Sequence, residues 1–150
     1  MPWIEPVFDR TIADVNYARE NRNDPQHLKG AINYSDWNRI TGNVHYLADL
    51  LTEHGYNIVA ACKTIWAPGE VPPAAEIQKI HNDLDSIETG YNKLMHSPPN
   101  PDAPWNQYQK INDVEQILFD TLYMFDLMAR SFKPCGTFCS GQVFFLPRKV

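Results

Sequence analysis

A mainly α fold, a bundle of three long helices preceded by a short N-terminal one, is what this sequence predicts. Three observations carry that expectation. From Ser35 to Leu51 the apolar residues Trp37, Ile40, Val44, Leu47 and Leu51 recur at spacings of three and four, which puts them on one stripe of a helix. The same start then returns: Asp36-Trp37-Asn38-Arg39-Ile40 is echoed by Glu76-Ile77-Gln78-Lys79-Ile80 and by Gln107-Tyr108-Gln109-Lys110-Ile111, each reading apolar, amide, base, isoleucine. Ile77, Ile80, Leu84, Ile87 and Tyr91 repeat the stripe, and Tyr108, Ile111, Leu118, Leu122 and Phe125 follow it with one interruption. The 12 prolines gather between these patterns rather than inside them, where they would remove a helical hydrogen bond.

In chain order, residues 1–10 hold Trp3, Ile4, Val7 and Phe8 between two prolines and read as an extended arm with apolar anchors. Thr11 caps a short helix, with Asp14 at the third position of a capping box, and NRNDP ends it. Gly30 turns the backbone sharply on the way into the first long helix. Ser35 is expected at that helix's N-cap, with Asp36 adding negative charge at the positive end, and Gly55 at its stop. Gly42 inside it costs about 1 kcal/mol against alanine, which points to a close neighbour or to simple tolerance. The stretch 56–66, YNIVAACKTIW, is rich in β-branched and aromatic residues and reads as a short strand or a buried extended connector. The second long helix is expected over 74–96, following Pro72 and Pro73. The third runs from a cap at Asn106 to about Phe132, and because ILFDTLYMFDLM is apolar nearly all round it should be the central one. The proline-rich breaks should turn the long helices back on one another around a shared core. A second small extended or β piece is expected at 137–146, and 143–150 forms a C-terminal tail.

A chain of 150 residues makes a single domain, 1–150, able to bury one core. Its net charge of −5 argues against a nucleic-acid surface, which needs concentrated Lys and Arg. No run of about eighteen apolar residues is present to insert in a membrane, and MPWIEPVFDR lacks the basic start and apolar run of a secretory signal. Cys62, Cys135 and Cys139 show no metal spacing and read as packing thiols of a protein made in a reducing cytoplasm. A Cys135–Cys139 bridge would need oxidising surroundings.

Chemistry is hard to assemble from these residues. Glu115 falls on the apolar stripe of the third helix, and a buried acid there can serve as a catalytic acid or a metal ligand. A slight rotation that brings Val114 into the core would instead leave Glu115 partly exposed or salt-bridged, the reading adopted here. His27, His45, His54, His81 and His96 have no paired spacing, no serine sits in a nucleophile elbow, and the glycines are isolated. Arg39, Lys79 and Lys110 each precede a core isoleucine and are expected to snorkel along the seam or to pair with Asp36 and Glu76. Trp3, Trp37, Trp66 and Trp105 stand near element boundaries, where they could form a sugar platform or, the favoured reading, close the ends of a helical domain. No catalytic, cofactor or metal residue is assigned, and the chain is not expected to be an enzyme.

Together, the segments PVFDRTIADV, LKGAINYSDWNRITGNVHYLADLL, TIWAPGEVPPAAEIQKIHNDLDSI, NQYQKINDVEQIL and CGTFCSGQ resemble a helical module of minor structural proteins of tailed bacteriophages and prophages. The resemblance covers roughly residues 5–142. It implies a virion protein made in the host cytoplasm, placed in the tail, baseplate or fibre, with other virion proteins and copies of itself as partners. It brings no catalytic residues and no cofactor. The alternatives are a host-surface or glycan-binding module of the tail, a head decoration protein, or a small enzyme. The apolar termini, Trp3, Ile4, Val7 and Phe8 at one end and Val143, Phe144, Phe145 and Leu146 at the other, are the expected assembly interface. They are expected to dock on a neighbour or back on the same chain.

Overall fold

The computed structural model describes residues 1–131 of the chain. They are mainly helical: α1 (Ile12–Glu20), α2 (Tyr34–Glu53), α3 (Ala74–Gly90) and α4 (Tyr108–Ser131). Among the described residues none forms a strand, and no helix is long and apolar enough to cross a membrane. The expected β piece at 137–146, the tail 143–150 and the Cys135–Cys139 pair lie outside the described residues.

The stripes behave as their spacing requires. Ile40, Val44, Leu47, Leu51, Ile80, Leu84, Ile87, Ile111 and Leu118 are sealed from solvent in one core. Their burial removes the branched side chains from water at roughly 1.5–3 kcal/mol each, which is why the stripe rather than local propensity decides where the helices lie. The capping box at Thr11 and Asp14 forms as expected, each side chain bonding the other's backbone N–H. The cap of α2 differs. Asn33, two residues before Ser35, accepts the Ser35 N–H at 2.8 Å, and Asp36 reaches back to the Asn33 N–H at 3.0 Å. Asp36 at the third helical position completes a box that places the boundary at Asn33. Gly55 follows the C-cap His54 with φ +94°, as a left-handed stop should. The second long helix is shorter than expected: it ends at Gly90, and Tyr91 leaves helical geometry to insert its ring into the core. The last helix begins at Tyr108, so Asn106 lies two residues ahead of it.

Two larger expectations fail, for physical reasons. The long helices do not turn back on one another. Trp37 at the start of α2 stacks on Trp105, just before α4, with centroids 6.5 Å apart and planes 11° apart. Ile77 at the start of α3 lines the same cleft as Trp37 and Trp105. At the opposite end His54 meets Phe125 edge-on at 4.8 Å, and Tyr91 lies 6.2 Å from Phe125. The helices α2, α3 and α4 therefore run parallel, and the proline-rich segments 54–73 and 91–107 are crossovers. Antiparallel neighbours are joined by roughly two to eight residues, whereas these segments are long enough to run back along a whole helix. Nor is α4 the central helix. α2 packs against both α3 and α4, while Tyr123 and Leu127 of α4 face solvent.

The segment 56–66 is a half-buried connector, with Ile58, Cys62 and Trp66 in the core, whose backbone is bonded by side chains instead of a β ladder. From α2, Thr52 donates to the Ile58 carbonyl (2.8 Å), His45 Nε2 to the Cys62 carbonyl (2.7 Å), and Asn38 brackets the backbone of Trp66 (2.7 and 3.1 Å). From α3, Asp83 accepts the N–H groups of Ala61 and Cys62 (2.9 and 2.8 Å), and Glu76 accepts that of Lys63 (3.2 Å). Asn38, His45 and Thr52 stand seven residues apart, as do Glu76 and Asp83, so one polar row on each helix clamps the connector between them. Gly90 ends the α3 row, where an added Cβ would meet Ile58 at 3.2 Å.

Gly30 makes the tightest approach among the described glycines, because a Cβ there would lie 2.1 Å from the Asp14 carbonyl oxygen. Gly30→Ala should therefore destabilise by about 3 kcal/mol or more, since backbone must move. Gly69→Ala, with φ +86° but open space around it, should cost only about 1 kcal/mol. Urea unfolding of the two variants checks the order, and equal losses would show that α1 does not pack against the backbone at Gly30 as described.

Candidate functional site

The most concentrated polar chemistry of the molecule surrounds Glu115. On α4 it sits beside Val114, and both side chains are wholly buried, so no rotation exchanges one for the other. The expected salt bridge forms, but in the interior. Arg39 of α2 grips Glu115 with a two-pronged fork, Nε to Oε2 at 2.9 Å and Nη2 to Oε1 at 2.7 Å, and also reaches Asp36 at 2.8 Å. Arg10, from the end of the N-terminal arm, donates Nη2 to Glu115 (3.0 Å) and Asp36 (3.2 Å). Its remaining N–H groups go to the carbonyls of Lys29 and Val7 and to Asn112. His27 Nε2 approaches Asp36 Oδ2 at 3.3 Å from the rim. Two guanidinium groups face two carboxylates, so the cluster is neutral without His27, a condition for holding charge in a low-dielectric core. Burial works against the charged form of Arg39, but Glu115 and Asp36 outweigh it and hold the group above its ordinary value.

Over this cluster lies the N-terminal arm. Met1 Sδ comes 3.1 Å from where Gly42 would carry a Cβ, which gives that mid-helix glycine a neighbour. Trp3 packs on Tyr46 (5.6 Å between centroids) and Phe8 on Phe119 (5.2 Å). The side-chain amide of Asn43 accepts the Ile4 N–H at 3.0 Å and donates to the Ile4 carbonyl at 2.6 Å. The Val7 N–H donates to Glu115 Oε2. Of the residues expected as an assembly interface, Trp3, Val7 and Phe8 are thus half-buried against their own α2 and α4, while the Ile4 side chain is 50% exposed. Val143, Phe144, Phe145 and Leu146 lie outside the described residues.

The other candidates are dispersed. His45 is spent on the Cys62 carbonyl and His81 Nδ1 on the Pro101 carbonyl at 3.1 Å, so neither converges with Glu115. Among the described residues no three His, Cys, Asp or Glu side chains gather as a metal set. The Cys62 thiol is buried and pushed far above its usual range, first by burial and then by Asp83, the opposite of what a nucleophile needs. Arg39 and Lys79 pair with Asp36 and Glu76 as expected, whereas Lys110 donates to the carbonyls of Asp102 (2.8 Å) and Pro104 (3.0 Å). Trp37, Trp66 and Trp105 are core residues. Chemically, both Glu115 oxygens and both Asp36 oxygens already accept from fixed donors. The cluster holds segments together and leaves no lone pair aimed at a ligand. Sequence reasoning missed Arg10 and Asn43. The signal for Arg10 was available, since an acid on a core stripe demands a cation from elsewhere in the chain.

Comparison with protein-family models, with curated proteins and with solved structures finds no match to this chain.

Removing one partner of the cluster strands a buried charge, so Glu115→Leu and Arg39→Met should each cost about 3–5 kcal/mol. The double variant leaves Arg10 facing Asp36 as a neutral pair. It should cost much less than the two losses added together, and an additive double-mutant cycle in urea would contradict the network.

Acid should loosen the surface ties first. Asp14 is held below its ordinary 3.8 by the Thr11 backbone and side chain, and Glu76 below 4.5 by Lys79. For such depressed acids the stabilisation is complete above the unfolded value and disappears as pH falls through the folded one. Asp113, raised by burial, has the opposite sign. Melting temperature should fall steadily from about pH 5 to pH 3, with a shallower fall in Asp14→Ala. An unchanged slope in that variant would rule out the capping box as a source.

Proposed function

We propose that this chain is a structural component of a tailed-phage particle, in its tail or baseplate, and that it acts by protein–protein assembly rather than catalysis. In this reading the three long helices form one parallel bundle that serves as a rigid mount. The observation that carries the reading is the outer edge of the clamped connector. Ile58, Cys62 and Trp66 are buried in the core, while Val59 and Ile65 between them are 77% and 67% exposed, and Val71, five residues past the connector, is 76% exposed. Scattered apolar side chains on mobile loops mean little. Here a hydrogen-bonded backbone holds two of them, Val59 and Ile65, on one segment, which is how a protein contact surface is prepared. The sequence resemblance to phage tail modules points the same way, and the saturated ion cluster is what a scaffold needs. A glycan-binding role finds less support, since Trp37, Trp66 and Trp105 are used in the core.

The test uses phage particles that carry the chain. A Val59→Ser, Ile65→Ser, Val71→Ser variant should keep the melting behaviour of the parent, because exposed positions contribute within about 0.5 kcal/mol, yet should be depleted from purified particles. Electron microscopy of labelled particles then locates the chain. Normal incorporation of the folded triple variant would defeat the connector as the assembly surface.

A further inference from the structure

We propose that the groove which holds the N-terminal arm is a peptide-recognition site, and that neighbouring copies of this chain exchange residues 1–8 through it, with Asp9 as the pivot. The proposal deepens the assembly reading and rests on it for the crowding that brings copies together.

Among the described residues the arm makes no backbone–backbone hydrogen bond. The groove shapes it through side-chain contacts, and Pro2 and Pro6 stiffen it beforehand, which lowers the cost of ordering. The groove is built for an extended segment. Asn43 both donates to and accepts from one peptide unit, at Ile4. Gly42 makes room for the Met1 side chain, while Tyr46 and Phe119 supply ring faces to Trp3 and Phe8. Backbone bonds with pockets for alternating side chains are how proteins bind extended peptides.

Every other copy carries the same arm and therefore the same ligand. The pivot is also marked. Arg10 is locked into the ion cluster and stays with its own body, whereas Asp9 is exposed and, among the described residues, pairs with Lys29 alone, at 2.8 Å. Eight residues reach at most about 26–29 Å, so exchange requires copies side by side, the arrangement an assembly imposes. The groove of each copy is then filled whether its own arm or a neighbour's occupies it, and no apolar surface is left open.

The experiment uses the full chain with Tyr46 replaced by photoreactive benzoylphenylalanine, mixed with a heavy-isotope copy of the unaltered chain. Irradiation followed by peptide mass spectrometry reads which arm was in the groove. Exchange predicts products that join position 46 of the light chain to residues 1–8 of the heavy chain, in a proportion that rises with concentration. Asn43→Ala in the heavy chain loosens that chain's hold on its own arm about tenfold through loss of two hydrogen bonds, so the released heavy arm should raise the mixed product, while Asn57→Ala, on an exposed residue, should leave it unchanged. Products confined to a single chain at every concentration would overturn the proposal, as would a mixed product indifferent to Asn43→Ala. Incorporation into particles is scored separately. Chains that enter particles but give only within-chain products sink exchange and leave the assembly reading standing. Chains that exchange in solution but never enter particles support exchange and sink the assembly reading.

Discussion

A carboxylate in a dry core has to be neutralised, and Glu115 sets that requirement for the whole N-terminal half of the molecule. Its cations cannot come from α4, whose neighbouring turns supply core groups, so they arrive from α2 as Arg39 and from the arm as Arg10. Each of those brings a second obligation. Arg39 and Arg10 both need Asp36 to balance the charge, and Asp36 in turn closes the capping box on Asn33. One buried acid thereby fixes where α2 begins, where the arm ends and how α4 is rotated. A hydrophobic residue at 115 could be as stable. What the ion cluster adds is a demand that three segments distant in sequence meet in one geometry.

The helical stripes were legible because burial acts on spacing, and Ile40, Ile80 and Ile111 ended where their echoed motifs put them. The Thr11–Asp14 box and the Gly55 stop were legible because a cap is local chemistry. Direction was not. A stripe looks the same whichever way its helix runs, and proline marks a break without saying whether the chain reverses or returns. The length of 54–73 and 91–107 held that information, as did the seven-residue rows Asn38–His45–Thr52 and Glu76–Asp83. Those polar rows look like ordinary solvated faces until a connector is laid over them. Arg10 and Asn43 were missed for a related reason: their partners lie on other segments, and no window along the chain contains both.

Parallel packing explains why the charged cluster sits at the end it does. Three helices running the same way add their dipoles, so the partial positive charge of three N-termini collects at one end of the molecule. Antiparallel neighbours would have cancelled it. Asp36 and Glu76 stand in the first turns of α2 and α3, and Glu115 reaches the same end from α4, so the carboxylates lie where the helix ends favour negative charge. Arg10 and Arg39 then bridge the two acids Asp36 and Glu115. The opposite end needs no such device, and it is closed by rings: His54 meets Phe125 and Tyr56 meets Tyr91 edge to face, and Tyr91 is tilted against Phe125. The two ends are chemically unlike as a direct consequence of direction. The arm starts from the charged end, where Arg10, its last residue, is anchored, and runs to the middle of α2, with Trp3 on Tyr46 and Ile4 on Asn43.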